Sequence, residues 1–111
     1  MTKFLVLYKA PASSFAEMQK STPEQQKAGM DAWMTWSKKA ASAIVDMGGP
    51  CGKGTRVTPN GSAPESNDLG GYSILQADSK EALIETFKGH PHFMMPGGFI
   101  DVIEIVKIPG M

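Results

Sequence analysis

The stretch Phe99-Ile100-Asp101-Val102-Ile103-Glu104-Ile105-Val106-Lys107-Ile108, FIDVIEIVKI, decides how the rest of the chain is read. Its β-branched and aromatic residues favour extended backbone, and they predict a strand over 99–108. Counted at every second residue, Ile100, Val102, Val106 and Ile108 form one apolar face, and Ile103 and Ile105 stand on the other. The run Lys3 to Lys9, KFLVLYK, behaves the same way: Phe4, Val6 and Tyr8 alternate with Leu5 and Leu7. Strands apolar in both registers need cover on both faces of their sheet. Helices can supply only one such cover.

Working outward, Pro11 to Lys20 reads as a loop with a helical turn around Phe15 and Met18. A clear helix start follows, with Thr22 as cap, Pro23 at the first helical position and Gln25 closing a capping box. Met30, Trp33, Ser37, Ala40, Ile44 and Met47 recur at helical spacing, so one long amphipathic helix is predicted, stopped by Gly48-Gly49-Pro50. Gly54 to Thr58 reads as a strand, Pro59-Asn60-Gly61 as a turn, and the residues through Asp68 as a mobile polar loop. Tyr72 to Ala77 is a further strand. Asp78-Ser79-Lys80-Glu81 opens a short second helix that ends at Gly89.

The order is β-α-β-β-α-β, which predicts an α+β, ferredoxin-like split arrangement: an antiparallel sheet with two helices on one face. The uncovered face of that sheet predicts a homodimer, two sheets packed face to face. A chain of 111 residues is one domain, 1–111, expected to expose about 5,900 Å² when folded. Eleven basic and eleven acidic residues leave no net charge, which argues against nucleic acid as a partner. Apolar runs are too short to span a membrane, no signal-peptide pattern opens the chain, and a single cysteine, Cys51, permits no internal disulfide. Cytoplasmic residence is the expectation. The charges divide unevenly, with residues 1–60 basic and 61–111 acidic, and an interleaved fold would set the two halves side by side.

Two histidines flank Pro91. Extended backbone would project His90 and His92 to one side, where they can act as general acid and base; equally, His90 can cap the preceding helix and His92 can simply pack. A metal would need a third ligand, and none is local; no cofactor fingerprint is present either. Glu104 shares a face with Ile100 and Val102, where burial would favour its protonated form and make it a usable base; the bland alternative is a wet strand end. Asp101, on the opposite face, is the carboxylate read as closer to the histidines. Trp33 and Trp36, with methionines around them, form either an ordinary core or the wall of an apolar pocket, and Met94, before Pro96-Gly97-Gly98, either its hinged lip or part of a plain connection.

Taken together, the KFLVLYK strand, Thr22-Pro23-Glu24, Gly71-Tyr72-Ser73-Ile74, Asp78-Ser79-Lys80-Glu81-Ala82, Gly89-His90-Pro91-His92 and Gly98-Phe99-Ile100-Asp101-Val102 resemble the YCII-related domain family over nearly the whole chain. The resemblance implies a dimeric α+β barrel and a His–Asp active site, in a family whose proposed roles run from ring-compound chemistry to regulation. The Asp-Gly-Pro-Phe signature of one branch is absent from 59–70, and the first helix carries no histidine. His90 and His92, with Asp101 or Asp31, are what this chain offers instead. The functional expectation is a cofactor-free acid/base catalyst, isomerising or eliminating, on a small apolar or aromatic molecule; the alternative is a non-catalytic ligand-binding or regulatory dimer.

Overall fold

Residues 1–65 and 67–110 are described by the computed structural model of this chain; Ser66, in the polar stretch read before Asp68, lies outside them. Its elements are β1 (Thr2–Lys9), α1 (Ala12–Gln19), α2 (Pro23–Lys39), β2 (Ile44–Pro50), β3 (Gly54–Thr58), β4 (Gly61–Glu65), β5 (Leu69–Ala77), α3 (Lys80–Glu85) and β6 (Phe99–Glu104). Four strands make an antiparallel sheet in the order β2-β5-β1-β6, the ferredoxin-like arrangement expected. Its second strand, however, is not the one read from sequence.

The sequence predicts a helix that runs through Ile44 and Met47 and stops at Gly48-Gly49-Pro50. Instead α2 ends at Lys39, a single 3₁₀ turn follows over Ala41–Ala43, and Ile44–Pro50 pairs with β5. Apolar residues at Ile44 and Met47 satisfy a helical period, but the long-range ladder to β5 outweighs it. The glycine pair is then a bulge rather than a helix stop. Gly48 takes a φ of +68°, and a side chain there would sit 1.9 Å from the Tyr72 carbonyl oxygen. The stretch read as the second strand, Gly54–Thr58, pairs only with β4, in a two-stranded hairpin turned at Pro59-Asn60. The loop with a helical turn expected after Pro11 is a full helix, α1.

Phe4, Val6, Tyr8 and Leu75 project from one sheet face and close with Trp36 of α2, its C-cap Ala40, and Leu83 and Phe87 around α3 into the buried core. The capping box read at Thr22 and Gln25 forms; the box expected over Asp78–Glu81 does not, since Ser79 is the cap and its Oγ accepts from the Ala82 amide with no side chain among the described residues returning the bond. The Trp36 indole donates to the Thr86 carbonyl at 2.8 Å, tying α2 to the end of α3. By contrast Met30 and Met34, earlier on α2, are exposed.

The register puts Leu5, Leu7, Tyr72, Ile74, Phe99 and Ile103 on the other sheet face, which no helix covers. Lys9 and Asp101 lie on this face too, paired at 3.1 Å. Lys9 also meets Asp68, and Arg56 meets Glu65, so the basic and acidic halves do attract one another. The protomer is a slab of 49 × 44 × 19 Å with a radius of gyration of 15.7 Å, against about 13 Å for a compact chain of this length. It exposes 7984 Å² rather than the expected ~5,900 Å². No helix among the described residues is long and apolar enough to cross a membrane.

Candidate functional site

Phe87 closes the end of α3, and the chain then reverses through Gly89, whose φ of +72° a side chain would resist. That reversal delivers His90 into the core, 1% exposed. It caps the 3₁₀ turn Pro91–Met94, its Nδ1 accepting from the His92 amide at 2.9 Å. A ring nitrogen that accepts carries no proton, so His90 holds its proton on Nε2. That Nε2 is the buried side-chain nitrogen left without a hydrogen-bond partner among the described residues.

Rings surround it. Trp36 and Trp33 meet the imidazole edge to face at centroid distances of 4.4 and 4.5 Å, Tyr8 stacks on it at 5.3 Å, and Phe87 and Phe93 lie at 5.9 and 6.3 Å. Burial, and next the charge of a protonated His92, pull His90 from 6.5 down to about 4, so it is a neutral donor at physiological pH.

His92, 6% exposed, places Nε2 2.7 Å from the Lys9 carbonyl oxygen. A carbonyl only accepts, so His92 too carries a proton on Nε2, and in the neutral ring Nδ1 then holds the lone pair. The segment bearing both histidines is bracketed by Gly89 and Gly97, each with a φ of +72°. It is fastened by the Lys9 carbonyl at one side and by a hydrogen bond from Ser14 of α1 to the Pro96 carbonyl at the other. Phe93 and Met94 stand exposed at its surface.

The structure thus brings together His90, His92, Trp33 and Trp36 of the sequence-read residues. It does not bring in the carboxylates. Asp101 is on the open face, held by Lys9, with the sheet between it and the imidazole of His90. Glu104 does share a face with Val102, but it is exposed at the strand's end, on the rim of a shallow depression of about 280 Å³ with Thr2, Phe4, Ser79, Lys80 and Glu81. The burial that would have made it a base is missing. No carboxylate bonds to either imidazole, and no group of three or more potential metal ligands gathers, among the described residues.

Tyr8 is the site residue that sequence reading passed over. It was counted as a strand alternation, yet its ring touches Trp33, His90 and His92. Its hydroxyl donates to Ser73 Oγ at 3.0 Å, and Ser73 donates in turn to the Met47 carbonyl at 2.7 Å, linking β1, β5 and β2. Burial pushes the phenol up from its usual value, against the opposing pull of the Ser73 bond. Its inward register beside Phe4 and Val6 was the available signal.

No family model matches the sequence, and no curated protein is similar to it. Among solved structures, the chain is similar to 5-chloro-2-hydroxyhydroquinone dehydrochlorinase from Burkholderia phenoliruptrix in complex with 2,5-dihydroxybenzoquinone, at 17% identity and a TM-score of 0.49, over 89% of this chain and 90% of that one.

Proposed function

We infer that the chain is a cytoplasmic, YCII-related homodimer that holds a small planar apolar or aromatic molecule beside His90 and moves a proton on it without a cofactor. One observation carries the reading: the His90 N–H is buried, neutral and unpartnered. Leaving such a donor unsatisfied costs about 1–3 kcal/mol, and groups of this kind mark places where a ligand completes the bonding. Because the proton is fixed on Nε2, His90 hydrogen-bonds an oxygen of the ligand and keeps its proton, while the Nδ1 lone pair of neutral His92 accepts a proton from carbon and returns it to the ligand. The surrounding rings suit a flat apolar body. Entry requires the segment between Gly89 and Gly97 to swing, with Phe93 and Met94 as its outer lip. The uncovered sheet face supports the homodimer, since a partner sheet would bury it.

The second reading, a ligand-binding module without turnover, is favoured by the lack of any carboxylate bonded to an imidazole among the described residues. One experiment separates the two. Phenol, catechol and 1,3-cyclohexanedione are titrated into ¹⁵N-labelled protein in H₂O, and deuterium uptake by the dione is followed in D₂O. The expected result is a saturable shift of the His90 Nε2 signal, lost in His90→Asn, which keeps the cap acceptor and removes the imidazole N–H. Enzyme-accelerated deuterium uptake marks the catalyst, and binding without it marks the module. If no probe moves the His90 signal at millimolar concentration, and His90→Asn is destabilised, the imidazole is core packing and both readings fall.

A further inference from the structure

We propose that Asn60 is a modification site: its side chain closes onto the Gly61 amide nitrogen, loses ammonia and reopens with water as aspartate or isoaspartate. The inference stands on the β3–β4 hairpin and does not depend on the His90 reading.

The chain has two asparagines, and the fold treats them differently. Asn67 is held at both ends of its amide: Nδ2 donates to Glu65 at 2.9 Å, and Oδ1 accepts from the Leu69 amide at 2.8 Å. Asn60 is exposed, and its side chain makes no hydrogen bond among the described residues; its main-chain N–H donates to Thr58 Oγ1 at 3.3 Å. The carboxamide is therefore free to rotate onto the next peptide nitrogen, which turns a slow hydrolysis into an intramolecular attack. That next residue is Gly61. The turn requires glycine there, because its φ is +137°, and the place where a Cβ would sit has nothing within 4 Å of it. The residue that lets the hairpin turn is thus also the one that leaves the nitrogen uncrowded.

The ladder around this turn is weak. Thr58 faces Gly61 across a two-residue loop, and residues 55–64 are all exposed. β3 and β4 form their own two-stranded sheet, apart from the four-stranded one, and an isolated hairpin is only marginally stable in water. Opening at the tip releases the Gly61 N–H. The nitrogen gives its proton to solvent and bonds to Asn60 Cγ, the Cγ–Nδ2 bond breaks as ammonia leaves, and a five-membered imide remains. Water adds to one of its two carbonyls. One opening gives aspartate, and the other routes the main chain through Cγ as isoaspartate. One water enters, one ammonia leaves, and nothing is oxidised or reduced.

Either product is a carboxylate, so eleven basic residues then face twelve acidic ones and the net charge becomes −1. Arg56, the chain's one arginine, lines the same shallow concavity of about 240 Å³ as Asn60 and is bonded to Glu65 at 3.3 Å, so the new carboxylate competes for it. Isoaspartate also adds a carbon to the main chain of a two-residue turn, which displaces the pairing of Thr58 with Gly61.

The test incubates the full chain at pH 7.4 and 37 °C in ¹⁸O-enriched water, folded and in urea, beside Asn60→Gln. Peptide mass spectrometry follows each asparagine, and methylation by an S-adenosylmethionine-dependent isoaspartyl methyltransferase counts isoaspartate. In the folded chain Asn60 is expected to convert at least about ten-fold faster than Asn67, taking up one ¹⁸O and releasing one ammonia. The methyl label should fall on the peptide that contains position 60 and be lost in Asn60→Gln, whose circular dichroism is unchanged. Equal rates at the two asparagines, label that persists in Asn60→Gln, or an Asn60 that stays intact in the folded chain while the unfolded chain converts overturns the proposal.

Discussion

His90 shows how much one side chain can be asked to do. Its Nδ1 caps a turn, its ring fills the gap between Trp33, Trp36 and Tyr8, and its Nε2 proton has no acceptor. Between pH 6.5 and about 4 the unfolded chain binds a proton at this residue that the folded chain refuses, so stability falls as pH falls through that window and levels off below it. The group facing it that adds to the effect is His92, while Tyr8 stays neutral there. The full loss amounts to at most about 3 kcal/mol. Urea midpoints at pH 7 and pH 4.5 should show it, and His90→Asn should flatten the part of the slope that carboxylates do not cause. An equal slope in the variant would assign the acid sensitivity elsewhere. At this scale the sequence announced the two histidines; that His90 would cap the turn after it rather than the helix before it, and that its imidazole would be boxed by rings contributed by β1, α2 and the end of α3, was not legible, because those rings are brought together only by the fold.

Among the elements, α2 is held at its two ends by different forces. Its C-terminal half packs through Trp33, Trp36 and Ala40, whereas its first turns, with Met30 and Met34 exposed, depend on the Thr22–Gln25 capping box. Thr22→Ala should therefore cost about 1 kcal/mol locally. Amides early in the helix should exchange about five-fold faster while the global unfolding midpoint moves little; a large global shift would mean that the first turns carry more packing than they show. The cap was readable because it is local chemistry within four residues. The boundary at the other end was not. From Ala40 to Met47 the apolar spacing fits a helix, and only the β5 edge, far along the chain, draws Ile44–Pro50 into the sheet. The β3–β4 hairpin erred in the opposite way: its strand and turn were visible, but nothing local says that it stands apart from the main sheet.

For the whole molecule, the uncovered sheet face is the feature with the largest energetic consequence. Apolar surface contributes about 25 cal/mol per Å² when buried, so a face bearing Leu5, Leu7, Ile74 and Ile103 favours association strongly. Ile103→Lys places a charge on that face, on the edge strand β6, without touching the core. It should shift the chain to monomer in sedimentation at low micromolar concentration, with circular dichroism unchanged, while the surface control Glu81→Lys remains dimeric. Dimers of equal affinity in both would show that the sheets do not meet there. The two-sided apolar pattern of KFLVLYK and FIDVIEIVKI, the caps and the neutral charge balance were determined by the sequence alone, since alternation, capping and composition act over a few residues. Which stretch became the second strand, that the last strand stops at Glu104 rather than Ile108, and that Asp101 and the His90 imidazole ended on opposite sides of the sheet were decided only in the tertiary structure. Strand pairing joins residues distant in sequence, and each register assigns every side chain to one face or the other.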